Sequence, residues 1–211
     1  MRSHVHIHAD DPACPTCPQV QARALMGRAE PHAGADDACP HVQRWRNMLG
    51  AVDAVRDRLG RPVDAGIRDT VVALNLLGLP TLQSCEGHVN AAGHGLAAPW
   101  IDLAVEGPVL VRAATLLKAF YADVAPPEAD LRLMLEGERL GNGGGFAVLE
   151  TARLALAEGR CTPTEVERLR ERLALRQAEM QRFTSFLRRR LVEETTSRVA
   201  DVCGTNTQSR G

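Results

Sequence analysis

Thirteen side chains in this sequence are soft or borderline metal ligands, six cysteines and seven histidines, and they are unevenly placed. The densest group is Ser84-Cys85-Glu86-Gly87-His88. An imidazole near a thiol stabilises the thiolate, which is the form that attacks an electrophile or binds a metal. Cys85 therefore reads as a nucleophile or a metal ligand, and His88 as its base or the second ligand. Glu86 supplies a carboxylate able to act as acid or base, and Asp102 supplies another able to orient the imidazole. Ser84 and Gly87 read as ligand-binding positions, Gly87 because it lets the chain turn sharply. His94 adds a mobile group on the glycine-bearing segment that follows. The alternative for these residues is a small buried thiol beside a loop histidine bonded to backbone.

A second group lies in residues 1–41, which hold five of the histidines and three of the cysteines. Cys14-Pro15-Thr16-Cys17 has the two-residue gap that lets two thiolates bind one tetrahedral ion, and Cys39-Pro40-His41 can supply the other pair. Pro12, Pro15, Pro18, Pro31 and Pro40 prevent a long regular element there. The expectation is an irregular lobe held by structural zinc, because a metal can replace a missing apolar core. A loose proline-rich arm is the alternative. His4, His6 and His8 share one face of an extended segment, with Asp10 and Asp11 beyond. Metal-dependent hydrolases open in this manner, and the same histidines can also serve the ion of the lobe.

Elements must position these groups. A helical period starts at Pro40 and runs through Val42, Trp45, Met48, Val52, Val55 and Leu59, with Gly60-Arg61-Pro62 as its stop. The spacing predicts a second helix from about Asp64, its N-cap, to Gly78-Leu79-Pro80. Thr81 to Cys85 is a short β-prone run that delivers Cys85 to its end, and Trp100 to Val105 alternates as a strand. Gly107-Pro108 opens a third helix that closes near Asp123. The stretches Asp130 to Leu140 and Phe146 to about Thr151 flank Gly141-Asn142-Gly143-Gly144-Gly145, a hairpin signature. With a strand expected after it, the glycine run reads as a turn rather than a phosphate cradle, which belongs between a strand and a helix N-terminus.

Thr162-Pro163-Thr164-Glu165 is a capping box, and Val166, Leu169, Leu173, Met180, Phe183, Leu187 and Leu191 form an apolar stripe behind it. A helix to about Thr195 would span on the order of 45 Å, long enough to pack on a partner or a second copy. Arg188, Arg189 and Arg190 suit its C-terminal half through the helix dipole alone. The expected fold is α+β, with a mainly antiparallel four-stranded sheet and helices on one side. A Cys/His-rich lobe (1–41) precedes the main domain (42–195), and a flexible tail (196–211) follows.

Composition narrows the function. The chain has 211 residues, 45% hydrophobic and 24% charged, in the range of a soluble globular protein. Its 25 Lys and Arg against 26 Asp and Glu give a formal charge of −1, so nothing draws it to nucleic acid or to an anionic membrane. Aromatic residues make up 3%, too few for a base-stacking platform. No apolar run approaches the roughly 18–20 residues of a membrane span, and the first residues do not read as a leader. The expected location is the cytoplasm, where cysteines are ligands or thiols rather than disulfides.

The run Leu79-Pro80-Thr81-Leu82-Gln83-Ser84-Cys85-Glu86-Gly87-His88, followed by Pro99-Trp100-Ile101-Asp102, resembles a pattern in uncharacterised bacterial and phage proteins. That pattern is a helix, then Thr-x-x-Ser-Cys-x-Gly-His, then a strand. It is also similar to the Ser-Ser-Cys-Ser-Gly-Arg segment of the wybutosine-synthesis methyltransferase family, with His88 where that family has Arg. The resemblance covers about a tenth of the chain. It implies a ligand site at Ser84, Cys85, Gly87 and His88, and S-adenosylmethionine as cofactor.

Taken together, the sequence describes a small cytosolic enzyme acting on a small molecule or modified nucleotide through the Cys85 to His88 loop. The alternative is a zinc-stabilised, non-catalytic binding protein. In that case Cys14, Cys17, Cys39 and His41 hold the lobe, and the long last helix docks a partner.

Overall fold

A computed structural model describes residues 40–90, 95–104, 107–123 and 125–204. Among these, five helices and a four-stranded antiparallel sheet form an α+β fold. Helix α1 (Pro40–Ala54) is followed by α2 (Ala65–Leu76), strands β1 (Thr81–Cys85) and β2 (Trp100–Leu103), and α3 (Pro108–Asp123). Strands β3 (Met134–Glu136) and β4 (Arg139–Gly141) precede α4 (Phe146–Ala157) and α5 (Pro163–Gly204). The strand order is β1-β2-β4-β3, with every neighbouring pair antiparallel.

Alternation along the strands decides which face is buried. Ile101, Leu103 and Leu140 are fully or almost fully buried, and they meet Ile67, Val71 and Leu74 of α2, Phe120 of α3 and Met180, Phe183, Phe186 and Leu187 of α5. Phe120 sits at the centre of an aromatic group, with ring centroids 5.3 Å from Phe183 and 5.5 Å from Phe186. Buried hydroxyls of Thr70 and Thr184 satisfy each other at 2.7 Å where α2 crosses α5. Helix α4 builds a smaller cluster, in which Leu149 meets Leu96, Ala98 and Trp100. Trp100 precedes Ile101 and so belongs to the opposite sheet face.

Five local expectations are corrected. Helix α1 stops at Ala54 rather than running to Leu59, and Val55 and Leu59 are exposed. Arg56 donates to the carbonyls of Asp53 and Val55, while Asp57 Oδ1 accepts the amides of Leu59 and Arg61 at 2.8 Å each. Side chain to backbone bonds of this kind compete with helix continuation. Asp64 does precede α2, yet its side chain makes no capping bond to that helix.

The hairpin joins β3 to β4 through Gly137 and Glu138, not through the glycine run. Gly143, Gly144 and Gly145 all have positive φ and lead from β4 into helix α4, where a strand was expected. Its sequence, rich in Ala and Leu, favours helix once the glycines have turned the chain. Finally, α5 keeps its capping box, with Thr162 N–H donating to Glu165 Oε2 at 2.7 Å, but continues to Gly204. Its 42 residues span about 63 Å. Among the described residues, no helix is long and apolar enough to cross a membrane.

Candidate metal centre

Strand β1 ends at Cys85, and the three residues after it are locked in place. Gly87 has φ 87°, and a Cβ there would lie 2.7 Å from the carbonyl carbon of Ala98, so only glycine fits the turn. His88 N–H donates to Leu96 O at 2.8 Å, and Gln177 Nε2 of α5 donates to Glu86 O at 2.9 Å. The N-terminus of α2 is tied to the same loop. Asp64 Oδ2 accepts Glu86 N–H at 3.1 Å, and Glu86 Oε2 accepts Gly66 N–H at 2.7 Å. Gln181 Nε2 closes the frame on Gly66 O at 2.6 Å. Glu86 thus caps α2 from across the loop, while Asp64 turns away from its own helix toward Cys85 and His88.

The consequence is a group of three different metal-ligand types. Ligand atoms of Asp64, Cys85 and His88 all lie within 4.8 Å of one another. His88 Nε2 stands 3.5 Å from Asp64 Oδ2. Around a tetrahedral ion with bonds of about 2.0–2.3 Å, neighbouring ligand atoms are about 3.4–3.8 Å apart, so the group needs only a small contraction to close on one. All three residues are half-buried, which leaves an open side. Carboxylate, thiolate and imidazole together suit a borderline divalent ion such as zinc better than calcium or magnesium.

Electrostatics separate the two roles read for Cys85. Burial pushes its thiol up to about 11, and the carboxylates of Asp64 and Glu86 add to the rise, against a smaller opposing effect of the Gly87 amide. The amide reaches the sulfur at 3.4 Å. A thiol held protonated is a poor nucleophile, whereas a divalent ion would deprotonate it outright. In metal-free protein at neutral pH, iodoacetamide is therefore expected to label Cys85 about 100-fold more slowly than a free thiol. Asp64→Asn should speed the reaction. Peptide mass spectrometry reads both rates, and fast preferential labelling of Cys85 would favour the nucleophile role. Because the folded-state pKa is raised, this thiol contributes stability to the metal-free protein up to about pH 9. That contribution is lost as pH rises toward about 11.

The remaining expected site residues fall elsewhere. Ser84 is half-buried and pairs with Ile101 in the sheet. The carboxylate of Asp102 is taken by a bidentate pair with Arg139, at 2.7 and 2.8 Å, so it does not orient His88. His41 lies on helix α1, where burial and then Arg44 lower its pKa. Cys14, Cys17 and Cys39, the proposed partners of His41, lie outside the described residues, as do His4, His6, His8 and His94. Asp64 is the candidate ligand that sequence reasoning missed: it stands 21 residues before Cys85 and reads locally as a helix cap.

Fold and site together define an α+β protein in which Asp64, Cys85 and His88, residues able to hold a metal ion, converge at a strand end. Comparison of the chain with protein-family models, curated proteins and solved structures finds no match.

Proposed function

We propose that the chain is a small-molecule enzyme working through one zinc ion held by Asp64, Cys85 and His88. The observation that carries this reading is the convergence of three different ligand types within 4.8 Å at a half-buried strand end. Asp64, Cys85 and His88 would hold the ion, and zinc bound there would supply water activation for hydrolytic attack on a carbonyl or related centre. Glu86 is one residue from Cys85 and is held by the Gly66 amide; it serves as the acid–base group. The protein works in the cytoplasm, a reducing compartment that keeps a thiol ligand such as Cys85 available to the ion.

Elemental analysis of the purified full chain tests the centre. Zinc is expected to be lost in Cys85→Ser and retained in Cys14→Ser. Replacement by cobalt should add a thiolate-to-cobalt charge-transfer band that Cys85→Ser removes. Turnover is tested with p-nitrophenyl acetate: hydrolysis should fall on chelation and return with zinc. Metal content and spectrum unchanged in Cys85→Ser would overturn the reading.

A further inference from the structure

Arg176 of α5 is a buried cation that bonds to none of the three candidate ligands, and only 7% of its surface is exposed. Taking a guanidinium out of water is costly, and burial pushes its pKa down against the pull of Asp130. Neutralising Asp130 does not account for the position. Arg172 already donates to both oxygens of that carboxylate, through Nε to Oδ2 at 2.6 Å and through Nη2 to Oδ1, and it is the first cause of the lowered Asp130 pKa. Arg176 Nη2 adds only a longer bond, 3.2 Å to Oδ2. Its short bond goes elsewhere: Nη1 donates to the Ala97 carbonyl at 2.7 Å.

Ala97 stands in the middle of the seat on which the metal-centre turn rests. On one side, Leu96 O accepts His88 N–H at 2.8 Å. On the other, Ala98 lies so close under Gly87 that a Cβ there would meet the Ala98 carbonyl carbon at 2.7 Å. A Cβ at Gly95 would lie 3.0 Å from His88 Cδ2, so the same segment borders the imidazole ring.

Leu96 to Ala98 belongs to no helix or strand, and no ladder fixes its direction. Leu96 and Ala98 pack on Leu149, but apolar contact is non-directional. The bond from Arg176 is directional, and its donor is firmly mounted. The Arg176 carbonyl accepts Asn142 Nδ2 at 3.0 Å, which ties this turn of α5 to the end of β4. Leu173 and Gln177, neighbours of Arg176 at helical spacing, meet the turn itself at Gly87 and at Glu86 O. Helix α5 thus holds the turn and its seat from one patch of its surface.

We propose that Arg176 is a positioning residue of the metal centre: through the Ala97 carbonyl it fixes the Leu96 to Ala98 seat, and the seat sets where His88 stands relative to Cys85 and Asp64. The assignment rests on the zinc reading above.

Cobalt titration of the metal-free full chain, followed at the thiolate-to-cobalt charge-transfer band, tests it. Arg176→Met leaves Asp130 on Arg172 and should bind cobalt about tenfold more weakly than wild type. In a His88→Ala background the same substitution should change affinity by less than about twofold, because the ligand it positions is gone. A loss of general stability would weaken both backgrounds alike. Gly78→Ala, which strains the chain elsewhere, should bind as wild type does. Arg176→Lys keeps the buried charge without the fork that reaches Ala97 O and Asp130 together. It should show a smaller loss, again only where His88 is present, and it decides the matter if Arg176→Met does not fold. An affinity unchanged in both Arg176 variants, or an equal loss in the two backgrounds, overturns the positioning role and leaves the metal centre standing. A wild-type chain with no charge-transfer band would instead overturn the metal centre, and this role with it.

Discussion

Cys85→Ser is expected to lower zinc affinity by on the order of a thousandfold, about 4 kcal/mol. The thiolate is the softest ligand of the three, and once deprotonated it brings a full negative charge that a serine hydroxyl does not. His88→Ala should cost on the order of a hundredfold, since it removes a neutral nitrogen ligand. Asp64→Asn has two opposing effects. It removes a charge from the ion, yet it relieves the raised thiol pKa of Cys85, so its loss should be the smallest of the three.

Binding must also displace the thiol proton, so affinity in the wild-type chain should rise about tenfold per pH unit above neutrality and level off near the thiol pKa of about 11. Competition against a chromophoric chelator measures all of these. An affinity within threefold of wild type in Cys85→Ser would remove the sulfur from the centre, and with it the main chemical reason to prefer zinc.

Gly87→Ala should destabilise the protein by about 3 kcal/mol, combining the cost of positive φ for a residue with Cβ and the cost of overpacking. The new methyl would lie 2.7 Å from the Ala98 carbonyl carbon, 2.9 Å from its oxygen and 2.7 Å from Leu173 Cδ1. Leu173 is a flexible side chain and can move, but the Ala98 backbone cannot. Gly78→Ala is the matched control, because φ is 74° there and nothing lies within 4 Å; its cost should be strain alone, about 1 kcal/mol. Urea unfolding compares the two. Gly87→Ala should also weaken zinc binding at least about tenfold although every ligand is intact, since the turn places His88 beside Cys85. Zinc affinity equal to that of Gly78→Ala would mean that the turn does not position the centre.

Much of the scaffold was legible from short-range patterns. The apolar period of α2 and α3, the alternation of β2 and the Thr162 to Glu165 capping box are signals written within one or two turns, and each element appears close to its expected place. Where reading failed, local side-chain bonds to backbone or the backbone angles of glycines overrode the apolar pattern. Arg56 and Asp57 bond the backbone and stop α1 short of an apolar period that continues to Leu59. Phe146 to about Thr151 reads as a strand, but the positive φ of three glycines and the carboxylate of Glu136 start a helix there.

The candidate site divides in the same way. By itself the sequence determined that a thiol, a turn-making glycine and an imidazole stand together at a strand end, because four consecutive residues need no fold to be neighbours. Only the tertiary structure decided which carboxylate joins them. Asp102, near in the pattern, is drawn off by Arg139 across the β2–β4 pair, while Asp64, 21 residues upstream, is released from capping α2 because Glu86 takes that role. The physical reason is that a carboxylate takes the strongest donors the fold brings within reach, and those donors are set by strand register and helix packing rather than by distance along the chain.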